Sequence, residues 1–540
     1  MLARVQSYFL QGIDALPCEV EVDIDQAAAT ATESAPRATV VGLPDVAVKE
    51  SVERVRAALT NCGYFIMPGK LLINLAPANV RKEGPLYDLP IAVGLLLAQN
   101  MASPGAAARG QPRRDLKHID DDEPAPAEPV DPRRYLIAGE LALDGRLRPV
   151  RGVLAMAMLA KAKGYRGVIV PQDNAAEASV VPGVEAIGAG TLSEVVGYLT
   201  GALEARAHPP VNVADALATA AAPVDFVEVR GQEAVKRAIV VAAAGSHNLL
   251  MLGPAGTGKT MMARALPGVL PPLSVEEALE ITRIYSAAGQ LAPGQGVVTA
   301  RPVRTPHHTA SGAAIVGGGM VPKPGEITLA HRGVLFMDEL PEFPRDVLET
   351  LRQPLEDHVV SIARSHSAVR FPASFMLVAA MNPTPKGDVP ADEVGKRAMD
   401  RYLSKLSGPL IDRIDIHVEA PAVPWAQLSK PADGPGASKG TSSAQMRSQV
   451  LAARQIQNQR QGATTPNSRL SGKQLDALAP MSDDARTLLG QAMTELGLSA
   501  RAYDKIRRVS RTIADLDGAE GIDAQHVAEA IQYRLLDRKV

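Results

Sequence analysis

The stretch LLMLGPAGTGKTMMARAL, residues 249–266, holds residues whose types and order could bind a phosphate chain. An apolar run leads into Gly253, Pro254, Ala255, Gly256, Thr257, Gly258, Lys259 and Thr260, and a helical pattern follows. The chemistry needs that order. Glycines let backbone N–H groups close on phosphate oxygens, and the helix start adds a favourable dipole. Lys259 can reach the β- and γ-phosphates, and the Thr260 hydroxyl can ligate Mg²⁺. A glycine-rich turn alone would carry little weight; strand before and helix after make this a prediction of ATP and Mg²⁺ as cofactors.

A second stretch, GVLFMDELPEF at 333–343, is an apolar strand that ends in two adjacent acids, Asp338 and Glu339. At the end of a lone strand such a pair is ordinarily solvated surface. Beside a phosphate loop, Asp338 can hold the Mg²⁺ shell and Glu339 can orient and deprotonate an attacking water. A third apolar strand, SFMLVAAMN at 374–382, ends in Asn382, whose amide can hydrogen-bond the γ-phosphate or the water. Taken alone, Asn382 would be only a turn residue before Pro383.

Elements that could position these groups must come from more than one core, because 540 residues exceed what a single core organises. Apolar residues make up 46% of the chain and charged ones 21%, an ordinary globular balance. The net charge of −2 means that any grip on nucleic acid must come from local positive charge. Aromatics at 3% argue against an open stacking platform for single strands. Two cysteines, Cys18 and Cys62, fit a reducing compartment, and no long apolar run reads as a signal or membrane span. The expectation is a cytoplasmic chain.

Composition divides the sequence into five parts: a domain at 1–200 with a loose, Pro- and charge-rich insertion at 101–134, a linker at 201–224, a core at 225–425, a Gly/Ser/Pro-rich linker at 426–445, and a helical region at 446–540. In the last part, Asp523 is a predicted N-cap for the helical pattern that follows it.

With the three strand-end motifs in place, longer blocks become recognisable. GQEAVKRAIVVAAAGSHNLLMLGPAGTGKT (231–260), RPVRTPHHTASGAAIVGGG (301–319), PGEITLAHRGVLFMDELPEFPRDVLETLRQPLED (324–357), LVAAMNP (377–383), LSGPLIDRIDIHVE (406–419) and LSARAYDKIRRVSRTIADLDG (498–518) resemble the ComM/YifB family of Mg-chelatase-like AAA+ ATPases. The resemblance implies an α/β multidomain chain: a Lon-protease-like α+β N-terminal domain, a P-loop AAA+ α/β core with a parallel sheet, and a C-terminal helical lid. It further implies that Asn382 is sensor 1 and that Arg413 is an arginine finger completing a neighbour's site in a ring, usually a hexamer. Arg501 would be sensor 2 on the lid. Guanidinium donors suit charge developing on a transferred phosphoryl group. Read without the family, Arg413 is a surface ion pair with Asp412 or Asp415, and Arg501 a solvated helix residue. A cysteine cluster that often follows the sensor-1 Asn in such proteins is missing here, so no structural zinc is expected.

The N-terminal domain lacks the groups a Ser–Lys peptidase needs. Leu86 and Tyr87 follow Gly84-Pro85 where the related fold carries its serine, and Leu154, Ala155 and Met156 occupy the stretch that supplies its lysine. A scaffold or binding role is the better reading.

The family role implied is an ATP-driven DNA motor for branch migration in recombination and natural transformation. Candidate DNA contacts are Arg301, Arg304, His307, His308 and Lys323 in one insertion, and Arg364 and Arg370 in a hairpin pattern at 359–374. Arg and Lys on phosphates give the sequence-independent grip a translocating motor needs. The alternative for these charges is solvated loop or subunit-interface residues. The alternatives are a chelatase-type ATPase subunit and a protein-remodelling regulator.

Overall fold

The computed structural model describes residues 1–25, 37–102, 127–219, 224–319, 321–364, 367–384, 402, 405–423, 441–463, 465–534 and 536. Residues 103–126 of the expected insertion, 220–223 and 426–440 of the expected linkers, and 385–401 of the cysteine-free stretch lie outside them. The described chain forms two compact units, Met1–Ala218 with Ala278–Val298, and Thr219–Glu277 with Thr299–Val540. No helix among the described residues is long and apolar enough to cross a membrane.

In the first unit, β1 (Leu2–Gln11) and β2 (Asp14–Asp25) pair antiparallel. Cys18, Val20, Val22 and Ile24 are buried while their sequence neighbours are not, the period-two pattern of a sheet with one face inward. With β3 (Arg37–Val41) and β4 (Lys70–Ala76) they form a sheet of order β1-β2-β4-β3. The helix Asp88–Ala98 packs against β1 and β2 and is buried on nearly every side, which is why its sequence is apolar all round. A second, parallel sheet joins β5 (Tyr135–Ile137), then, after the ribbon β6 (Glu140–Leu141) and β7 (Leu147–Arg148), β8 (Gly167–Pro171) and β9 (Glu185–Ala189). Leu86, Tyr87, Leu154, Ala155 and Met156 are all core residues of this unit.

Residues 278–298, which the sequence boundaries place in the central core, pack instead in the first unit. A buried carboxylate explains the attachment. Glu177 accepts from the backbone N–H of Leu154 at 2.8 Å, from Asn174 at 3.2 Å, and from the hydroxyl of Ser286. Ser286 returns its carbonyl to the N–H of Gly152. No local pattern marks Ser286 as the partner of an acid so far away in the chain.

Asp88 is the other buried acid of this unit. Arg54 clasps it with two bonds, Nε to Oδ2 at 2.9 Å and Nη2 to Oδ1 at 3.0 Å, and the Leu141 N–H adds a third at 3.2 Å. Burial pushes the Asp88 carboxyl up, and the Arg54 bonds pull it only part of the way back.

In the second unit, five parallel strands make the central sheet: β10 (Leu249–Leu252), β11 (Val303–Arg304), β14 (Val334–Met337), β17 (Met376–Met381) and β18 (Ile416–Glu419). Two antiparallel hairpins interrupt the numbering, β12 (Gly317–Gly318) with β13 (Lys323–Pro324), and β15 (Val359–Arg364) with β16 (Ser367–Pro372). The sheet order is β11-β14-β17-β10-β18. Strands buried on both faces must be apolar along their whole length, as VLFM and MLVAAM are. The helices Ser443–Gln461, Gly472–Leu478, Asp483–Glu495, Ala500–Leu516 and Ala524–Gln532 complete the unit. Ser442, Ser471, Ser482 and Ser499 cap the first four. Asp523 stands at the N-cap of the last, and its own N–H donates to His526 Nδ1 at 2.9 Å.

Arg54→Ala strips Asp88 of its cation and leaves a buried carboxylate alone, so the first unit should lose about 3–5 kcal/mol. Urea unfolding followed by circular dichroism measures this; a loss below about 1 kcal/mol, the worth of an exposed pair, would show that the clasp is not structural.

Candidate functional site

The order of the central sheet decides which motifs can meet. The loop after β10 leads into Lys259, Asp338 directly follows β14, and Asn382 directly follows β17, which lies between β14 and β10. All three therefore arrive at the carboxyl edge of one parallel sheet, where open α/β sheets hold ligands.

The loop after β10 is built on glycine for backbone reasons. Gly256 and Gly258 have φ of +81° and +85°, which side-chain-bearing residues rarely adopt. Gly253 is confined differently: a Cβ there would lie 2.2 Å from the Ala420 carbonyl oxygen just beyond β18. The helix Lys259–Ala265 then begins, and its first N–H groups have no carbonyl a turn behind them.

Lys259 is buried to 7% exposure, and its ammonium donates to the carbonyls of Gly253 and Pro254, both at 2.8 Å, and to Asn382 Oδ1 at 3.2 Å. Burial lowers its pKa, opposed by the charges of Asp338 and Glu339. The Thr260 hydroxyl donates to Asp338 Oδ2 at 2.8 Å, while Asp338 Oδ1 accepts from the Glu339 N–H at 3.0 Å. A hydroxyl and a carboxylate in contact are hard oxygen donors of the kind Mg²⁺ takes. Thr260 and Asp338 thus fit the metal expected at this place.

Glu339 follows in the left-handed region, φ 51°, a costly conformation for a side-chain-bearing residue and one found at functional sites. Its side chain is about half exposed and lies 3.5 Å from His308 Nδ1. An exposed carboxylate one residue beyond a fixed one can act on water. His308, a candidate DNA contact, reaches the candidate base and lies against His307 with ring centroids 4.2 Å apart. His307 is exposed and shares a 2.8 Å contact with Thr309.

The remaining candidates divide. Arg301 and Arg304 do not project outward. Arg301 donates to the carbonyls of Pro271, Pro272 and Arg332 and to Glu277 at 2.8 Å, and Arg304 holds both oxygens of Glu326 at 2.6 and 2.8 Å. A basic-looking sequence cannot reveal that nearby carbonyls absorb the charge. Lys323 is exposed at the β12–β13 hairpin and Arg370 is exposed on β16. Arg364 closes β15, and its side chain lies outside the described residues.

Arg413 and Arg501 are not gathered with Lys259. Arg413 is 11% exposed, bonded to the Pro409 carbonyl and to Glu356, neither Asp412 nor Asp415 being its ion partner. Sequence reasoning missed Glu356, since nothing local marks it. Arg501 is 67% exposed and stands 3.7 Å from Asp412.

The matches to known proteins follow this geometry. The family described as magnesium chelatase, subunit ChlI, matches residues 225–428, its C-terminal part matches 440–534, and the family described as subunit ChlI of Mg-chelatase matches 21–108 and 125–174. The competence protein ComM of Haemophilus influenzae is 40% identical over 545 aligned residues, 99% of this chain and 98% of the relative. The uncharacterized protein YifB of Escherichia coli is 42% identical over 542 residues, with the same coverage of each. The chain belongs to the ComM/YifB family. The magnesium-chelatase 38 kDa subunit of Cereibacter sphaeroides is 28% identical over only 30% of this chain and 53% of its own. Membership agrees with the mixed α/β, multidomain architecture, and the Mg-chelatase-like AAA+ part implies ATP binding.

Removing the Lys259 ammonium deletes a charged donor worth about 1.5–3 kcal/mol. Lys259→Ala should therefore weaken binding of a fluorescent ATP analogue about 10- to 100-fold, measured by titration under conditions where circular dichroism shows the variant folded. Asp338→Asn should make that affinity indifferent to EDTA, while the unaltered chain loses affinity when Mg²⁺ is chelated. Equal EDTA sensitivity in both would remove Asp338 from the metal shell.

Proposed function

We propose that this chain is an ATPase of the ComM/YifB family that assembles into a hexameric ring and uses hydrolysis to move along branched or single-stranded DNA. The observation that carries the nucleotidase part is the convergence of Lys259, Thr260, Asp338 and Asn382 through contacts of 2.8–3.2 Å, with Glu339 adjoining. Gly253, Pro254, Ala255, Gly256, Thr257 and Gly258 would wrap the phosphates, and Lys259 would exchange its carbonyl partners for phosphate oxygens. Mg²⁺, held through Thr260 and Asp338, supplies charge neutralisation between the phosphates when bound. Glu339 would take a proton from water as the water attacks the γ-phosphorus and the bond to the ADP oxygen breaks. Asn382 would orient that water or the γ-phosphate.

Arg413 completes the scheme only across copies. A guanidinium offered to a neighbour's γ-phosphate stabilises the charge that develops there, and such a group requires a ring or filament of subunits. Arg501 would serve the nucleotide of its own chain from the lid helix.

The DNA part rests on the full-length likeness to a protein named for competence, and on Lys323 and Arg370 exposed on two hairpins of the ATPase unit. Recombination and natural transformation are the setting this likeness supports. The chelatase-subunit family matching both parts of the second unit favours one other reading, a motor that inserts Mg²⁺ into a porphyrin. Full-length similarity to ComM, first unit included, weighs against it.

ATP turnover with and without single-stranded and forked DNA tests the proposal. Glu339→Gln should keep nucleotide binding and lose about 10²–10⁴ in turnover. Arg413→Ala should lose about 10³ or more. DNA should raise turnover of the unaltered chain, and Lys323→Ala with Arg370→Ala should abolish that rise while leaving turnover without DNA. Turnover indifferent to all DNA would leave an ATPase with a different cargo.

A further inference from the structure

One buried ion pair in the second unit takes no part in the chemistry above. Lys505 Nζ lies 2.9 Å from Asp415 Oδ1, and the two side chains are 10% and 11% exposed. The second carboxylate oxygen accepts from the Asn248 N–H at 3.2 Å and lies 3.5 Å from His247 Nδ1. Burial raises the Asp415 carboxyl, but the Lys505 charge and the His247 imidazole outweigh it and hold the acid ionised. Burying two charges costs several kcal/mol unless their geometry is well satisfied, and such pairs are best attested where they fix one arrangement of a fold.

The arrangement fixed here is the turn Asp412-Arg413-Ile414-Asp415. The Arg413 carbonyl accepts from Asn248 Nδ2 at 3.0 Å. The Ile414 carbonyl accepts from the buried Arg534 at 2.6 Å. Asp412 faces Arg501 at 3.7 Å. Arg501 and Lys505 are four residues apart on the helix Ala500–Leu516 and so share one of its faces. A single lid helix therefore touches the turn on both sides of Arg413. The turn is also registered to the sheet: Asn248 directly precedes β10, and its Oδ1 accepts from the Leu377 N–H of β17 at 2.9 Å. Those two strands lead into the phosphate loop before Lys259 and into Asn382.

We infer that Asp415 is a positioning residue for Arg413, binding the lid helix and the arginine-bearing turn into one body through Lys505. A displacement of the lid in one copy then displaces the arginine that copy offers to the next. The inference rests on the proposed action of Arg413 across copies.

Mixing full-length variants tests it. Lys259→Ala copies, held at a nucleotide concentration below their weakened affinity, stay empty yet still offer Arg413, whereas Arg413→Ala copies bind nucleotide and offer nothing. Asp415→Asn should behave as the second kind: nucleotide affinity nearly unchanged, kcat down about 10- to 100-fold from a misplaced group. Its turnover should return on mixing with Lys259→Ala and should stay low on mixing with Arg413→Ala. Because one unpaired buried charge can unfold the unit, the double variant Asp415→Asn/Lys505→Met, which leaves no charge behind, is measured alongside and should show the same donor defect. If Lys259→Ala rescues Arg413→Ala but neither Asp415 variant, or if their nucleotide affinity falls as far as kcat, the positioning role is overturned. If Lys259→Ala does not rescue even Arg413→Ala, action across copies fails, and the inference falls with it.

Discussion

A buried lysine ammonium with no carboxylate in contact is the constraint from which the ATPase unit is built. Lys259 satisfies its three donors with two carbonyls of its own loop and the Asn382 amide, so the loop must curl back on itself. That curl needs Gly256 and Gly258 at positive φ, and the loop's entry needs Gly253 because the Ala420 carbonyl leaves no room for a side chain. The Asn382 amide must come from the strand next to β10, which fixes β17 there and moves β14 one place out. Asp338 then reaches the loop not through the lysine but through Thr260, one residue further along. Neutral partners suit the task, because an anionic ligand displaces carbonyls from an ammonium more readily than it displaces a carboxylate.

How much of this was legible in the sequence follows from how far each contact reaches along the chain. The phosphate loop was readable because its requirements are local: glycine for backbone angles, a strand before and a helix after. The apolar runs VLFM and MLVAAM showed as buried strands for the same reason. Contacts made across the fold left no such trace. Arg301 and Arg304 read as an outward basic cluster, yet Glu277, Glu326 and three carbonyls absorb them. His308 meets Glu339 and Arg413 meets Glu356 without any spacing rule that pairs them. Residues 278–298 follow the phosphate loop in sequence but belong to the other unit, held there by Glu177 through Ser286.

The first unit shows the same division between pattern and chemistry. Where a peptidase would place a nucleophile and a base, this chain places Leu86, Tyr87, Leu154, Ala155 and Met156 in the core. The acid in that neighbourhood, Asp88, is fully buried and accepts three hydrogen bonds, two from Arg54 and one from the Leu141 N–H. A carboxylate buried and paired in this way serves as a structural joint.

The proposed action of Arg413 across copies asks two things of one residue. Its side chain is bonded within its own copy, to Glu356 and the Pro409 carbonyl, and not to the phosphate loop. An arginine that serves a neighbour must leave such partners when the neighbour's phosphate is present and return when it is not. Glu356 is more than half exposed, and an exposed carboxylate competes weakly because water screens it. The backbone of the same residue is gripped on the buried side by Asn248, with Arg534 on the carbonyl of the next residue. On the proposed scheme, the guanidinium would exchange the screened Glu356 for a neighbour's phosphate, while its backbone attachment would follow the position of the helix Ala500–Leu516.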